Sequence, residues 1–123
     1  MASRFRHESL PVSGKAGHLA AARFPGDSDW FSGHFPGDPI VPGVALIALA
    51  AEAVIERERG EGRSLMITGV HRVRFRLLVR PDDEVTLEAT RMPNPKGPAY
   101  AFTVSLAGET ACSGVLTAEI VPS

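Results

Sequence analysis

The sequence predicts an α+β domain in which a curled antiparallel β-sheet wraps one long central helix, and three observations carry that prediction. Only one stretch of helical composition, Val44 to Arg59, runs without Gly or Pro. Its first two turns, Val44 to Ala51, are apolar on every side, so they must be enclosed. Four segments rich in β-branched and aromatic residues follow, and with one helix available the enclosing material has to be sheet. A chain of 123 residues and 13.1 kDa holds one core, so residues 1–123 are expected to form a single domain.

Each element has its own signal. The first ten residues carry Arg4, Arg6, His7 and Glu8 without an apolar run, so they do not read as a secretory leader. His18 to Phe24 reads as a first strand. Phe24-Pro25-Gly26-Asp27 returns as Phe35-Pro36-Gly37-Asp38, and each Pro-Gly pair predicts a type II turn. Gly, Pro and Asp dominate from Pro25 to Gly43, which predicts a long ordered loop of the kind that carries function. The helix ends at Gly60, the expected left-handed residue past its last turn. Ser64 to Arg80, Glu84 to Arg91, Ala99 to Leu106 and Thr110 to Val121 read as strands, broken at Pro81-Asp82-Asp83, at residues 92–98 and at Gly108-Glu109. Leu106 to Thr110 reads as a hairpin. Strict alternation in His71-Arg72-Val73-Arg74-Phe75-Arg76-Leu77 places His71, Val73, Phe75 and Leu77 on the core face and the arginines on the other.

Composition excludes several classes. With 44% apolar and 22% charged residues the chain is neither disordered nor low in complexity. Thirteen basic against fourteen acidic side chains leave a net charge of -1, so no global basic field favours nucleic acid. The lone Cys112 excludes an intrachain disulfide and fits a reducing compartment, the cytoplasm being the expectation. Cys112 itself reads as a buried structural thiol. The longest uncharged stretch, Pro39 to Ala51, falls short of the roughly 18 residues a membrane span needs. Four scattered histidines lack metal-ligand spacing, and no phosphate-loop or dinucleotide fingerprint occurs, so neither metal nor cofactor is expected.

The chemistry concentrates just before the helix, in Trp30 to Val44. Three prolines and three glycines after Ser32 constrain this backbone, and such a loop can hold one imidazole, His34, in place. The loop feeds a helix N-terminus, where free N–H groups and the positive dipole end favour a developing oxyanion. Gly43, lacking a side chain, lets a carbonyl oxygen approach its N–H. Trp30 and Phe31 just before the histidine, and Phe35 just after it, are candidates for contact with a bound substrate; packing beneath the loop is the competing reading. His7 and His18 have no constellation around them and read as surface positions.

Gly33-His34-Phe35-Pro36-Gly37-Asp38-Pro39-Ile40-Val41-Pro42-Gly43-Val44 resembles the signature of the 3-hydroxyacyl-[acyl carrier protein] dehydratases of the FabA/FabZ type. Val73 to Val85 resembles that family's strand and Pro-x-Asp turn. The resemblance implies the hotdog fold and dehydration of a 3-hydroxyacyl thioester carried on the phosphopantetheine arm of acyl carrier protein, with no other cofactor. It makes His34 the residue that acts on the C2 proton, Ile40 the backbone carbonyl that orients the ring, and Gly43 the N–H that polarises the thioester carbonyl. An imidazole that titrates near neutrality and needs an acceptor on its other nitrogen suits that role.

One departure bears on activity. The family places a Glu or Asp fourteen positions after the histidine, reaching the neighbouring subunit's site, and this sequence has Ala48. Losing a positioned acid costs on the order of 10²–10⁴ in rate. Three resolutions stand open. Glu52, about 6 Å further along the helix and on the same face, replaces the family's usual Gln and is either a substitute acid, its pKa raised by burial, or the point where the helix meets water and pairs with an Arg. A related subunit could supply the carboxylate in a heterodimer rather than a homodimer or higher oligomer. The chain could also bind acyl thioesters without dehydrating them. Acyl thioester hydrolysis, with Glu52 activating water, is a further rival. Arg72, Arg74 and Arg76 form either a solvated strand face or a docking patch for the acidic carrier protein and its phosphate.

Overall fold

The computed structural model of the chain describes residues 7–10, 18–26 and 40–122. Its elements are β1 (Glu8–Leu10), β2 (His18–Arg23), α1 (Gly43–Gly60), β3 (Ser64–Phe75), β4 (Glu84–Met92), β5 (Ala99–Leu106) and β6 (Glu109–Val121). The strands form one sheet in the order β1-β2-β4-β5-β6-β3, antiparallel at every pairing. The sheet curls around α1 without closing, so β1 and β3 are its edges, and the hotdog architecture expected from the sequence is the one observed.

Local chemistry explains the meander. β5 turns into β6 through Ala107 and Gly108, both at positive φ, with Leu106 opposite Glu109. That is the two-residue turn whose twist matches its strands. The break at Pro81 is pinned by Asp83, whose carboxylate accepts the Arg80 N–H at 2.9 Å, and by the Asp82 N–H donating to the Phe24 carbonyl at 2.9 Å. Gly26, in contrast, does not take the positive φ that a type II turn at Phe24 to Asp27 requires.

The core lies between the sheet's concave face and one side of the helix. Leu46, Leu49, Ala50 and Val54 pack against Val85, Leu87, Phe102, Val104 and Leu116. Tyr100 and Cys112 are fully buried with them. The helix is not enclosed all round, as its apolar first turns predict: Val44 is 60% exposed, and Ala48, Glu52 and Glu56 continue the open ridge at four-residue spacing. Among the described residues no helix is long and apolar enough to cross a membrane.

β3 departs from its predicted form. It stops at Phe75 instead of Arg80, and its register against β6 shifts between His71 and Arg74, where Arg72 takes a left-handed φ of 55°. This bulge breaks the alternation. Val73 and Leu77 remain half-buried, whereas His71 is exposed on Thr117 Oγ1 at 3.3 Å and Phe75 is 55% exposed. Arg72, Arg74 and Arg76 all face solvent, as expected.

The helix C-terminus holds a buried carboxylate. α1 continues through Gly60, and the left-handed reversal falls to Gly62 at φ 85°. The Glu58 side chain, 5% exposed, accepts a 2.7 Å hydrogen bond from Arg63 Nε, and the Glu58 carbonyl accepts the Arg63 N–H at 2.8 Å. The Arg63 hydrogen bond holds the Glu58 carboxyl below its ordinary value of 4.5, against the opposing effect of burial. A depressed carboxyl stabilises the fold above the unfolded value and loses that contribution as pH falls through the folded one. Glu58→Gln is therefore expected to cost roughly 1–3 kcal/mol at neutral pH. Urea titrations between neutral pH and pH 3 check this, and the variant's stability should fall less steeply with acid than the wild type's.

Candidate functional site

The residues before the helix are clamped to the segment after β3. The Val41 N–H donates to the Val79 carbonyl at 2.6 Å, Val41 is buried and Ile40 is half-buried. Pro42 caps the helix with φ -60° and ψ 146° and offers it no side-chain hydrogen bond. No acidic residue occupies the first turn. The positive end of the helix thus takes no cap from the Pro42 side chain, with Gly43 as its first residue.

Gly43 is required there by packing. The ring of Phe75 lies against its Cα so closely that a Cβ would fall 2.5 Å from the ring's Cζ. Phe75 is the residue whose alternation predicted a core position; it pairs with buried Cys112, and at the end of β3 its ring lies over the helix N-terminus. Phe75, Val44 and Leu78 are all more than half exposed in this part of the molecule. Apolar surface beside uncapped N–H groups is suited to a thioester, whose carbonyl oxygen accepts a hydrogen bond while its acyl chain seeks apolar contact. His34, Phe35 and Trp30, the other expected site residues of this loop, lie outside the described residues.

One turn beyond Val44 the ridge carries the methyl of Ala48, and one turn further Glu52. Burial does not act on Glu52 as expected: its side chain is 61% exposed. Among the described residues the charged group beside it is not an Arg but His7, whose Nε2 lies 3.7 Å from Glu52 Oε2. His7 is no surface residue. Its side chain is 16% exposed and its ring stands 5.9 Å from that of buried Phe24. Both residues line a cavity of about 410 Å³ between α1 and the β1 and β2 strands, together with Leu10, Leu19, Leu49 and Ala53. Small-molecule sites span roughly 300–1,000 Å³. The sequence offered no signal for His7, because β1 is three residues long and shows neither alternation nor turn residues.

The arginine stripe lies elsewhere. His71 and Arg72 line a second hollow of about 320 Å³ with Met92, Asn94 and Thr117. Cys112 is buried and its thiol is pushed up to about 11 by desolvation, so it stays protonated at neutral pH and unreactive. Among the described residues no three His, Cys, Asp or Glu side chains stand together as a metal site.

Comparison of the sequence with known proteins shows its family. The model of the ApeI-like proteins, the ApeI dehydratase, matches residues 12–115, a range that contains the histidine loop, Ala48, Glu52 and Phe75. A 3-hydroxyacyl-[acyl-carrier-protein] dehydratase FabZ of Oenococcus oeni is 36% identical over 96 residues, covering 73% of this chain and 68% of that protein. The FabZ of Bacillus pumilus is 32% identical over 121 residues, covering 92% and 82%. Among solved structures, the dehydratase heterocomplex ApeI:P from Xenorhabdus doucetiae shares the fold with a TM-score of 0.69 at 24% identity, over 92% of this chain and 97% of that one.

The contact between Phe75 and Gly43 yields a paired expectation. Gly43→Ala forces a methyl into the ring and should destabilise the protein by about 1–3 kcal/mol through overpacking. Adding Phe75→Leu should return most of that loss, since the two changes share one contact. Urea denaturation of the single and double variants measures it; a double variant as unstable as Gly43→Ala alone would show that the glycine serves some need other than the ring.

Proposed function

The chain belongs to the ApeI-like dehydratase family, and on that premise we propose that it eliminates water from 3-hydroxyacyl thioesters carried on the phosphopantetheine of acyl carrier protein. In this reading His34 removes the C2 proton and the Ile40 carbonyl orients its ring. The Gly43 N–H polarises the thioester carbonyl as negative charge builds on its oxygen. The hydroxyl leaves from C3 with a proton from an acid, as water. The observation that carries the proposal is the Gly33 to Val44 segment, which brings Gly43 to the first position of a helix that Pro42 does not cap, beneath an exposed phenyl ring. Arg72, Arg74 and Arg76 are proposed to meet the acidic carrier protein. The single buried thiol fits reaction in the cytoplasm.

Ala48 carries no proton, so the acid must come from elsewhere. Glu52, exposed one turn on along the same ridge, is proposed as the substitute. A second reading, that a related hotdog subunit supplies the acid, is favoured by specific features. The ridge from Val44 to Ala48 is uncovered, and β3 is a twelve-residue strand paired on one side only. Met66, Val70 and Phe75 of that strand and Ile120 beside it are exposed apolar groups. A free edge and an apolar surface together suit pairing with another chain, identical or related. The similar protein from Xenorhabdus doucetiae is a heterocomplex.

Incubating the purified chain with a 3-hydroxyacyl carrier-protein thioester and following enoyl product by mass spectrometry tests the proposal. Turnover should fall by about 10²–10⁴ in His34→Ala. Undiminished turnover in that variant would remove His34 from the mechanism. Free acid as the main product would indicate thioester hydrolysis. Silence of the pure chain, relieved by a second hotdog protein, would assign the acid to a partner.

A further inference from the structure

An exposed glutamate on a helix ridge is ordinarily a poor catalyst, because three rotatable bonds let its carboxyl wander and fixing them costs entropy. Glu52 is not left in that condition. His7 approaches it from the opposite wall of the cavity, and His7 is itself held. β1 pairs with β2 in a register that sets Glu8 opposite Arg23, and Glu8 Oε2 lies 3.0 Å from Arg23 Nε. The imidazole also rests against Phe24, which is fully buried. An imidazole just ahead of β1, packed on the buried Phe24 ring, thus stands 3.7 Å from a carboxyl carried by the helix.

The other charged groups around the cavity are committed elsewhere. The Arg57 guanidinium donates to the Ala89 carbonyl at 3.3 Å and lies 5.9 Å over the Tyr100 ring. Glu56 accepts a hydrogen bond from Arg59. Among the described residues, His7 and Glu52 therefore form the one imidazole and carboxyl pair that faces this cavity.

We infer that His7 is the positioning residue for Glu52, and that the pair, at the rim of the cavity between α1 and the β1–β2 edge, is the proton donor of the dehydration. The inference rests on the dehydratase reading above and deepens it. The step balances within the groups named. His34 takes the C2 proton, the C3–O bond breaks with its electron pair leaving on oxygen, and a proton delivered by Glu52 from the pair goes to that oxygen. Water departs and the enoyl thioester remains. The proton on His34 then returns to the pair through solvent. Ala48 makes this arrangement workable, since its methyl leaves the ridge low and a substrate can lie further along the helix toward Glu52.

Steady-state kinetics of the intact protein with a 3-hydroxyacyl carrier-protein thioester test it, using Glu52→Gln, His7→Ala, His7→Gln and the Glu52→Gln/His7→Ala double variant. Glu52→Gln should lower kcat by about 10²–10⁴ with KM little changed. His7→Ala should lower kcat by about tenfold or more, and His7→Gln, whose amide can still hydrogen-bond the carboxyl, should recover part of that loss. The double variant should be no slower than Glu52→Gln alone, because His7 acts only through Glu52. Thermal melts separate this from a folding defect: a merely structural His7 would lower Tm and slow the Glu52→Gln protein further, which overturns the inference. Full activity of Glu52→Gln with His34→Ala dead overturns the inference and leaves the dehydratase reading standing. Full activity of His34→Ala overturns that reading itself. A pure chain that turns over only with a second hotdog protein overturns the inference in favour of the partner's acid.

Discussion

A helix that is apolar on nearly every side needs more cover than one sheet can give. A curled sheet has one concave face, and that face buries Leu46, Leu49, Ala50 and Val54 while the opposite ridge stays open. Curling harder is limited by sheet twist and by the edges at β1 and β3, which a closed barrel would have to join. The open ridge is thus a consequence of the topology. It begins at the helix N-terminus with Val44, passes Ala48 and reaches Glu52, so the groups proposed to bind and transform a thioester stand along the surface the sheet leaves uncovered.

The second constraint is the clamp on the helix N-terminus. The segment from Ile40 to Gly43 is fixed by the Val41–Val79 hydrogen bond and by the ring of Phe75. Both partners come from the stretch just past the bulge of β3. Val70 pairs with buried Leu116, so without the extra residue at Arg72 period-two alternation would carry Phe75 to the opposite face of the sheet, and the helix N-terminus would lose its apolar wall. One irregular residue in an edge strand therefore shapes the surface beside Gly43.

Much of this was legible in the sequence. The helix, the boundaries of β5 and the β5–β6 turn follow from composition and from turn residues acting locally. The twelve-residue loop identified the family because its chemistry is contiguous along the chain. What escaped was set by distant contacts. β1 is three residues long, and it forms only because Glu8, Ser9 and Leu10 find Arg23, Ala22 and Ala21 across a gap of many residues. Alternation failed at His71 because the bulge at Arg72 has no local signature in that run. For Glu52 the sequence left burial and contact with water both open, because exposure is decided by which side of the helix the sheet covers. His7 followed β1 out of view for the same reason.

The exchange of a carboxylate for Ala48 and the presence of Glu52 one turn later bear on the same point. Four residues advance the helix by about 6 Å, too far for a carboxyl to serve an unmoved reacting centre from an upright rotamer. Helical side chains, however, lean toward the N-terminus, so Glu52 leans toward Ala48. The small methyl there removes the obstacle between them. His7 approaches from β1 and limits how far the carboxyl can swing away. A carboxylate at position 48 would act from the helix alone, whereas Glu52 needs the sheet edge to aim it. On the proposed mechanism, moving the acid makes it depend on the segment of the three-residue strand β1, which would tie the chemistry of the helix ridge to the least extensive pairing in the sheet.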